Sequence, residues 1–140
     1  MDQQLLSDIS ELVSVKLLKL AQLKPHEKFC HSNFEYWLEH IRKAQFWSEP
    51  ILVERQHKII MDGHHRYQIA LALKLKYIPC IVTSYANQFL SVAAYRNASP
   101  LSSEQIINAA TCGILMEKKS SRHQLAFKLP QIHITLAILQ

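Results

Sequence analysis

The sequence predicts an α+β fold of mixed character, a small sheet flanked by helices, and three observations carry that expectation. Short β-branched runs such as Ile51-Leu52-Val53 and Lys58-Ile59-Ile60-Met61 alternate along the chain with stretches of helical period. Arg55-Gln56-His57 separates those two runs by a turn's length, so they make an antiparallel hairpin. No internal repeat or low-complexity segment is visible. At 140 residues the chain has room for one well-filled core, so residues 1–140 are expected to form a single domain in which 100–140 is a helix-loop-strand subdomain completing the site.

In chain order, Gln3 to Ile9 suits a short helix. Val13, Val15 and Leu17 alternate with Ser14 and Lys16, the period of a half-buried strand running toward Leu20. Pro25 then fixes a turn that presents His26 and Glu27 on a loop. Ser32 with Glu35 has the capping-box pattern, and Phe34, Trp37, Leu38 and Ile41 form the core-facing side of a helix ending near Gln45. Phe46 to Pro50 reads as its exit loop. Tyr77 to Thr83 has strand composition, with Pro79 favouring an edge or entry position. Gln88 to Ala94 is apolar and of either type. Ser102 or Ser103 caps a helix over Glu104 to Thr111, with Gly113 as its C-cap. A basic loop, Glu117 to His123, follows, and Ile132 to Leu139 reads as a final strand.

The stretch Lys58 to Leu75 is the most informative. A strand stops at Asp62-Gly63, and from Arg66 the pattern becomes helical, with apolar residues on most of the circumference. The first amides of a helix lack internal partners and, with the helix dipole, attract an anion. Gly63 permits a phosphate to approach the backbone, His64, His65 and Arg66 add donors, and Asp62 is placed to hold a divalent cation. The same residues also fit an N-cap aspartate followed by two exposed histidines.

Composition narrows the function classes. The formal charge of +5 and pI near 9.2 suit an anionic partner. Basic runs are confined to Lys118-Lys119 and nearby Arg122, which make no DNA-binding stripe, so a nucleic-acid partner is not expected. Cys30, Cys80 and Cys112 are odd in number, widely spaced and without a CxxC pair, so neither a disulfide framework nor a zinc knuckle is indicated. No signal peptide is recognisable, and no apolar run approaches the ~20 residues of a membrane span. A cytoplasmic location and no membrane partner are the expectations; the oligomeric state is left open.

The run from Pro50 to Val82 resembles the core of the ParB N-terminal/sulfiredoxin-like fold, in which a hairpin leads through a glycine loop into a phosphate-facing helix. Sulfiredoxins carry a cysteine where His64 stands here, and chromosome-partition ParB proteins a Gly-Glu-Arg-Arg motif. The sequence is most similar to the free serine kinase branch, with its Leu-x-Pro-x-Glu segment, Asp-Gly-His-His-Arg loop and late Lys-Thr-Thr-Arg-His segment. Their counterparts are Leu23 to Glu27, Asp62 to Arg66, and Lys119-Ser120-Ser121-Arg122-His123, with serines for the two threonines. Tyr95-Arg96 stands where the branch has Trp-Arg, and Glu117-Lys118 replaces its prolines.

That resemblance implies a Mg²⁺-dependent kinase that phosphorylates free L-serine from ATP or ADP. It implies Glu27 as general base, a task suited to a carboxylate whose pKa burial raises. Asp62 would be a second catalytic residue and metal ligand, and Gly63, His64, His65 and Arg66 the holders of the nucleotide phosphates. Ser120, Ser121, Arg122, His123 and Tyr95 would bind the amino acid. The competing expectation is a non-catalytic nucleotide-binding or DNA-associated ParB-like regulatory module.

Overall fold

The computed structural model describes residues 2–94, 102–116 and 121–140. Helix α1 (Gln3–Leu12) is capped by the Asp2 carboxylate, which accepts from the Gln4 amide at 2.9 Å. Strand β1 (Val15–Lys19) follows, and α2 (His31–Ala44) leads to a two-residue strand β2 (Phe46–Trp47). Then come β3 (Ile51–Glu54), β4 (Ile60–Asp62), α3 (His64–Ala72), β5 (Tyr77–Thr83) and β6 (Leu90–Ala94). The remaining elements are α4 (Ser103–Cys112), β7 (Ser121–Leu125), β8 (Ile134–Thr135) and α5 (Leu136–Leu139).

The central sheet has the order β1-β5-β3-β4 and is mixed: β5 runs parallel to β3, while β1 and β4 run antiparallel to their neighbours. All four residues of β3 are buried, which its continuous apolar run anticipates for an interior strand. Ile51 and Val53 face a core shared with Ile60, Ile78, Ile69 of α3 and Leu136 and Leu139 of α5. Leu52 faces the other side, with Leu12 of α1, Met61 and Ile81. The expected β3–β4 hairpin is present, and its turn is closed by the Glu54 carboxylate, which accepts from the amides of Gln56 at 2.9 Å and His57 at 2.6 Å. Two further antiparallel pairs, β2–β8 and β6–β7, sit outside this sheet.

Several local expectations need correcting. Helix α2 begins two residues earlier than a Ser32 cap requires: Cys30 is the N-cap, and the Phe34 amide bonds the Cys30 carbonyl at 3.0 Å. The Cys30 amide is itself held by the His65 ring at 3.0 Å, so a tertiary bond sets this boundary. Phe46-Trp47 is strand because β8 pairs with it, and Ile132 to Leu139 is mostly not strand because Leu136 and Leu139 are buried at a one-turn spacing. Val13 and Leu17 are exposed; the alternation breaks because Val13 closes α1. Pro79 lies in an interior strand, but in the stretch that pairs only with β1, since β3 begins pairing at Cys80. Gln88 to Ala94 resolves largely as β6, and the supposed loop Ser121 to His123 is strand β7 paired with it. At α4 the capping box is Ser102 with Gln105, and Gly113 takes the left-handed conformation at φ 74°.

The decisive junction is β4 to α3. Helix α3 starts at His64, two residues before the change of period at Arg66, and Gly63 is its N-cap at φ 116°. Asp62 therefore ends the strand and does not cap the helix. A Cβ on Gly63 would lie 2.4 Å from Cγ2 and 2.7 Å from Cβ of Ile51, a fully buried β3 residue that cannot retreat. Left-handed backbone and filled space both demand glycine here. Gly63→Ala is expected to cost about 2–5 kcal/mol, from backbone strain plus overpacking. Urea unfolding should show the lowered midpoint at an unchanged m-value.

Candidate functional site

A cleft of about 540 Å³ opens above this junction. Its floor is the end of β4 and the first turn of α3, Asp62 to Arg66. The first helical hydrogen bond runs from the Tyr67 amide to the Gly63 carbonyl at 2.9 Å, so the amides of His64, His65 and Arg66 precede the intrahelical ladder. A helix start aimed into a cleft is a preformed anion site. Arg66 adds a guanidinium held in place from behind: Nη1 donates to the Pro50 carbonyl at 2.6 Å, and carboxylates of Glu49 and Asp62 lie at 3.8 and 3.9 Å. The Asp62 side chain is 64% exposed, at the edge of the cleft.

One wall is the segment Leu23 to Lys28. Pro25 keeps it extended, and it is stitched on both sides. Lys24 exchanges backbone bonds of 2.9 Å with Lys58 and Ile60, while the segment after α4 is tied on by Lys28 N–H to Met116 O (2.7 Å) and Met116 N–H to His26 O (2.8 Å). His26 is fully buried between them. Its Nδ1 lies 2.7 Å from the Ile60 carbonyl, and its backbone amide donates to His64 Nε2 at 3.1 Å. This places the Glu27 carboxyl, 12% exposed, on the cleft, with Oε2 3.6 Å from His26 Nε2.

A further part of the lining comes from β7, which brings Arg122 and His123 into the cleft. His123 Nε2 is 3.0 Å from the Tyr85 hydroxyl, and its ring lies edge-on to His26 at 5.6 Å. Rings of His26 and His64 stand 4.5 Å apart at 80°. Glu27, Asp62 to Arg66, Arg122 and His123, from three distant segments, thus line a single cavity. Ser120 and Tyr95 lie outside the described residues, and of Ser121 only its backbone place in β7 is described.

The fold also adds residues that sequence reasoning missed. Trp37, assigned to the core by its place in the apolar stripe, is 46% exposed and lines the cleft with His40, Asn33 and Ile41 of α2. Phe34, Leu38 and Ile41 alone pack the helix onto the core. Nothing in the stripe set Trp37 apart, since Phe34, Trp37, Leu38 and Ile41 have the ordinary i, i+3, i+4, i+7 spacing of a core-facing side. His26 gave no signal beyond its position beside Glu27.

Neither His64 nor His65 is an exposed side chain. His64 is buried and braces the Glu27 wall, while His65 Nε2 accepts from Cys30 and braces α2. Burial holds His26 down to about 4, against the lesser opposing pull of the Ile60 carbonyl. It lowers His64 well below the usual histidine range, helped by the His26, His123 and His65 charges, and lowers His123 to about 3 with help from His26. Burial first, and Glu54 second, raises the Tyr85 phenol. No group of three or more His, Cys, Asp or Glu side chains among the described residues could hold a metal ion alone. No helix among them is long and apolar enough to cross a membrane.

No family model matches the chain. Over 71 residues, 51% of its length, it is 38% identical to a ParB-like protein of Sulfolobus acidocaldarius, covering 35% of that protein. Over 76 residues it is 30% identical to an ATP-dependent L-serine kinase of Desulfurococcus mucosus, covering 51% of this chain and 30% of that one. The chain thus spans about a third of the length of the curated relatives it matches. Among solved structures, a free serine kinase in complex with AMP superposes with a TM-score of 0.82 at 14% identity, over 91% of this chain and 94% of that one. SbnI with a C-terminal truncation, from Staphylococcus aureus, gives 0.76 at 16% identity, over 90% and 89%.

The neutral histidines predict an acid-labile fold. Their pKa values are lower folded than unfolded, so between the unfolded value of 6.5 and the folded values the unfolded chain binds more protons and stability falls as pH falls. His26 alone should cost about 2 kcal/mol on going from pH 7 to 5. Thermal melts should show a drop of several degrees over that interval, and a His26→Asn variant should lose less of its own stability across it.

Proposed function

From a chain with the ParB-like α+β fold of the free serine kinases, we propose a kinase that transfers a phosphoryl group from ATP or ADP to free L-serine, giving O-phospho-L-serine. The observation that carries this reading is the meeting of Glu27, the Asp62 to Arg66 junction and Arg122-His123 in one cleft. Phosphoryl transfer asks a protein for positioning, charge neutralisation and a proton acceptor rather than covalent chemistry, and this cleft has a group for each.

The amides that open α3, with Gly63 giving backbone access, hold the nucleotide phosphates, and the braced Arg66 guanidinium neutralises their charge. His64 and His65 fix that loop through Nε2 and keep Nδ1–H as a donor. Glu27, which lines the same cleft, takes the proton of the serine hydroxyl as its oxygen attacks the terminal phosphorus. Arg122 and His123, with Ser120, Ser121 and Tyr95, bind the amino acid, Arg122 pairing with its carboxylate. In this way 100–140 completes a site that 1–140 forms as one unit. Asp62 fits Mg²⁺ as this ion is usually bound beside nucleotides, through one carboxylate and substrate phosphates; when bound, it would neutralise charge on the transferring group. Such a reaction belongs in the cytoplasm, where nucleotide is available.

The free serine kinase neighbours are complexes with AMP or ADP, and three of the four are variants in which a glutamate is replaced by alanine or glutamine, which supports a nucleotide cleft and an acidic residue of interest. The 38% identity to a ParB-like protein keeps a second reading, a nucleotide-binding module without transfer activity. Incubation with L-serine and Mg-ATP or Mg-ADP should yield O-phosphoserine by mass spectrometry. Glu27→Gln should lower kcat by about 10²–10⁴-fold while nucleotide affinity stays within a factor of about two. Nucleotide binding with no product from either donor would replace the kinase by the binding module.

A further inference from the structure

The transfer scheme sets His123 beside the amino acid, and one of its two ring nitrogens is already engaged. The hydroxyl of Tyr85, a residue that does not line the cleft, lies 3.0 Å from His123 Nε2, with the two rings 5.6 Å apart at 38°. Tyr85 is held there by its own surroundings. Its ring packs against two core clusters, one around Leu52 and Met61 and one around Ile59 and Ile106. The turn that carries it is pinned by Asn87, a buried side chain whose amide donates to the Thr83 hydroxyl and the Asp8 carbonyl, each at 3.1 Å.

A neutral imidazole has one N–H and one lone pair, so the bond made by one nitrogen decides the state of the other. Burial first, and Glu54 second, keeps the Tyr85 phenol protonated, while burial first, and His26 second, holds His123 down to about 3. At neutral pH an intact hydroxyl therefore meets an uncharged ring. If Nε2 carried the ring hydrogen, the phenol hydrogen would have no acceptor among the described residues. With the hydroxyl donating to Nε2 both groups are satisfied, and the ring hydrogen sits on Nδ1. Among the described residues nothing bonds Nδ1.

We propose that Tyr85 is a positioning residue acting through His123: by donating to Nε2 it fixes the Nδ1–H tautomer, so that His123 meets the amino-acid carboxylate as a hydrogen-bond donor. The inference rests on the phosphoryl-transfer reading, from which it takes the amino acid as ligand. The other tautomer would offer a lone pair where a carboxylate needs a donor, and that lone pair could compete for the serine hydroxyl proton. Fixing Nδ1–H removes His123 as a base and leaves that task to Glu27.

Tyr85→Phe removes the hydroxyl and keeps the ring that packs on the core. It should raise the KM for L-serine about tenfold, the worth of one hydrogen bond to a charged group, with nucleotide KM within a factor of about two. In a His123→Ala background the same substitution should change the serine KM by less than about twofold, because the hydroxyl acts only through that ring. An equal penalty with and without His123 would overturn the inference. A second readout needs no turnover: ¹⁵N spectra of the wild type at pH 7 should show His123 protonated at Nδ1 and not at Nε2, and Tyr85→Phe should populate both tautomers. L-Serine, added alone or with AMP, should move the Nδ1–H resonance. A wild-type ring protonated at Nε2, or an Nδ1–H that answers to AMP and not to L-serine, would overturn the inference whatever the activity. A serine-responsive Nδ1–H that depends on Tyr85, with no O-phosphoserine from either donor, would support it and overturn the kinase reading alone.

Discussion

The site depends on one constraint, the clamp between His26 and the β4–α3 junction. His26 bonds the junction twice, through its ring to the Ile60 carbonyl of β4 and through its amide to the His64 ring of α3. Both bonds are buried, where an unmade polar contact is costly, so the Glu27 wall and the helix start hold a fixed separation. His65 repeats the device one residue on, gripping the first residue of the α2 boundary. Two adjacent histidines thus fasten two separate walls onto a single turn of helix. The helix-start amides and the segment that carries Glu27 are thus tied together through His26.

That turn can exist only because Gly63 admits Ile51. The strand β3 is buried on both faces, and its first residue occupies the volume where a side chain at 63 would lie. Packing of the sheet core and geometry of the helix start are therefore the same contact seen from two sides. The chain has only two glycines; Gly113, by contrast, has open space around its Cβ position and serves only the turn that ends α4.

Much of the fold was legible because it follows from local pattern. The β3–β4 hairpin, the helices at 31–44 and 103–112, and the strand at 77–83 each have a period or composition that no neighbour needs to supply. The misreadings share a different cause. β2 is a strand because β8 arrives beside it, α2 starts at Cys30 because His65 holds that amide, and Trp37 faces a cleft because the core seam is filled by Phe34, Leu38 and Ile41. Each is decided by a partner remote in sequence.

By itself, the sequence determined the class of fold, the glycine at the strand-to-helix junction and the identity of the three motif segments, since period, turn chemistry and residue type are local properties. Only the tertiary structure decided that Glu27, Asp62 to Arg66 and Arg122-His123 border one cavity, and that His64 and His65 act as braces as well as lining it. It also decided which nitrogen of His123 is engaged, because that depends on a hydroxyl 38 residues away that the fold alone brings to 3.0 Å.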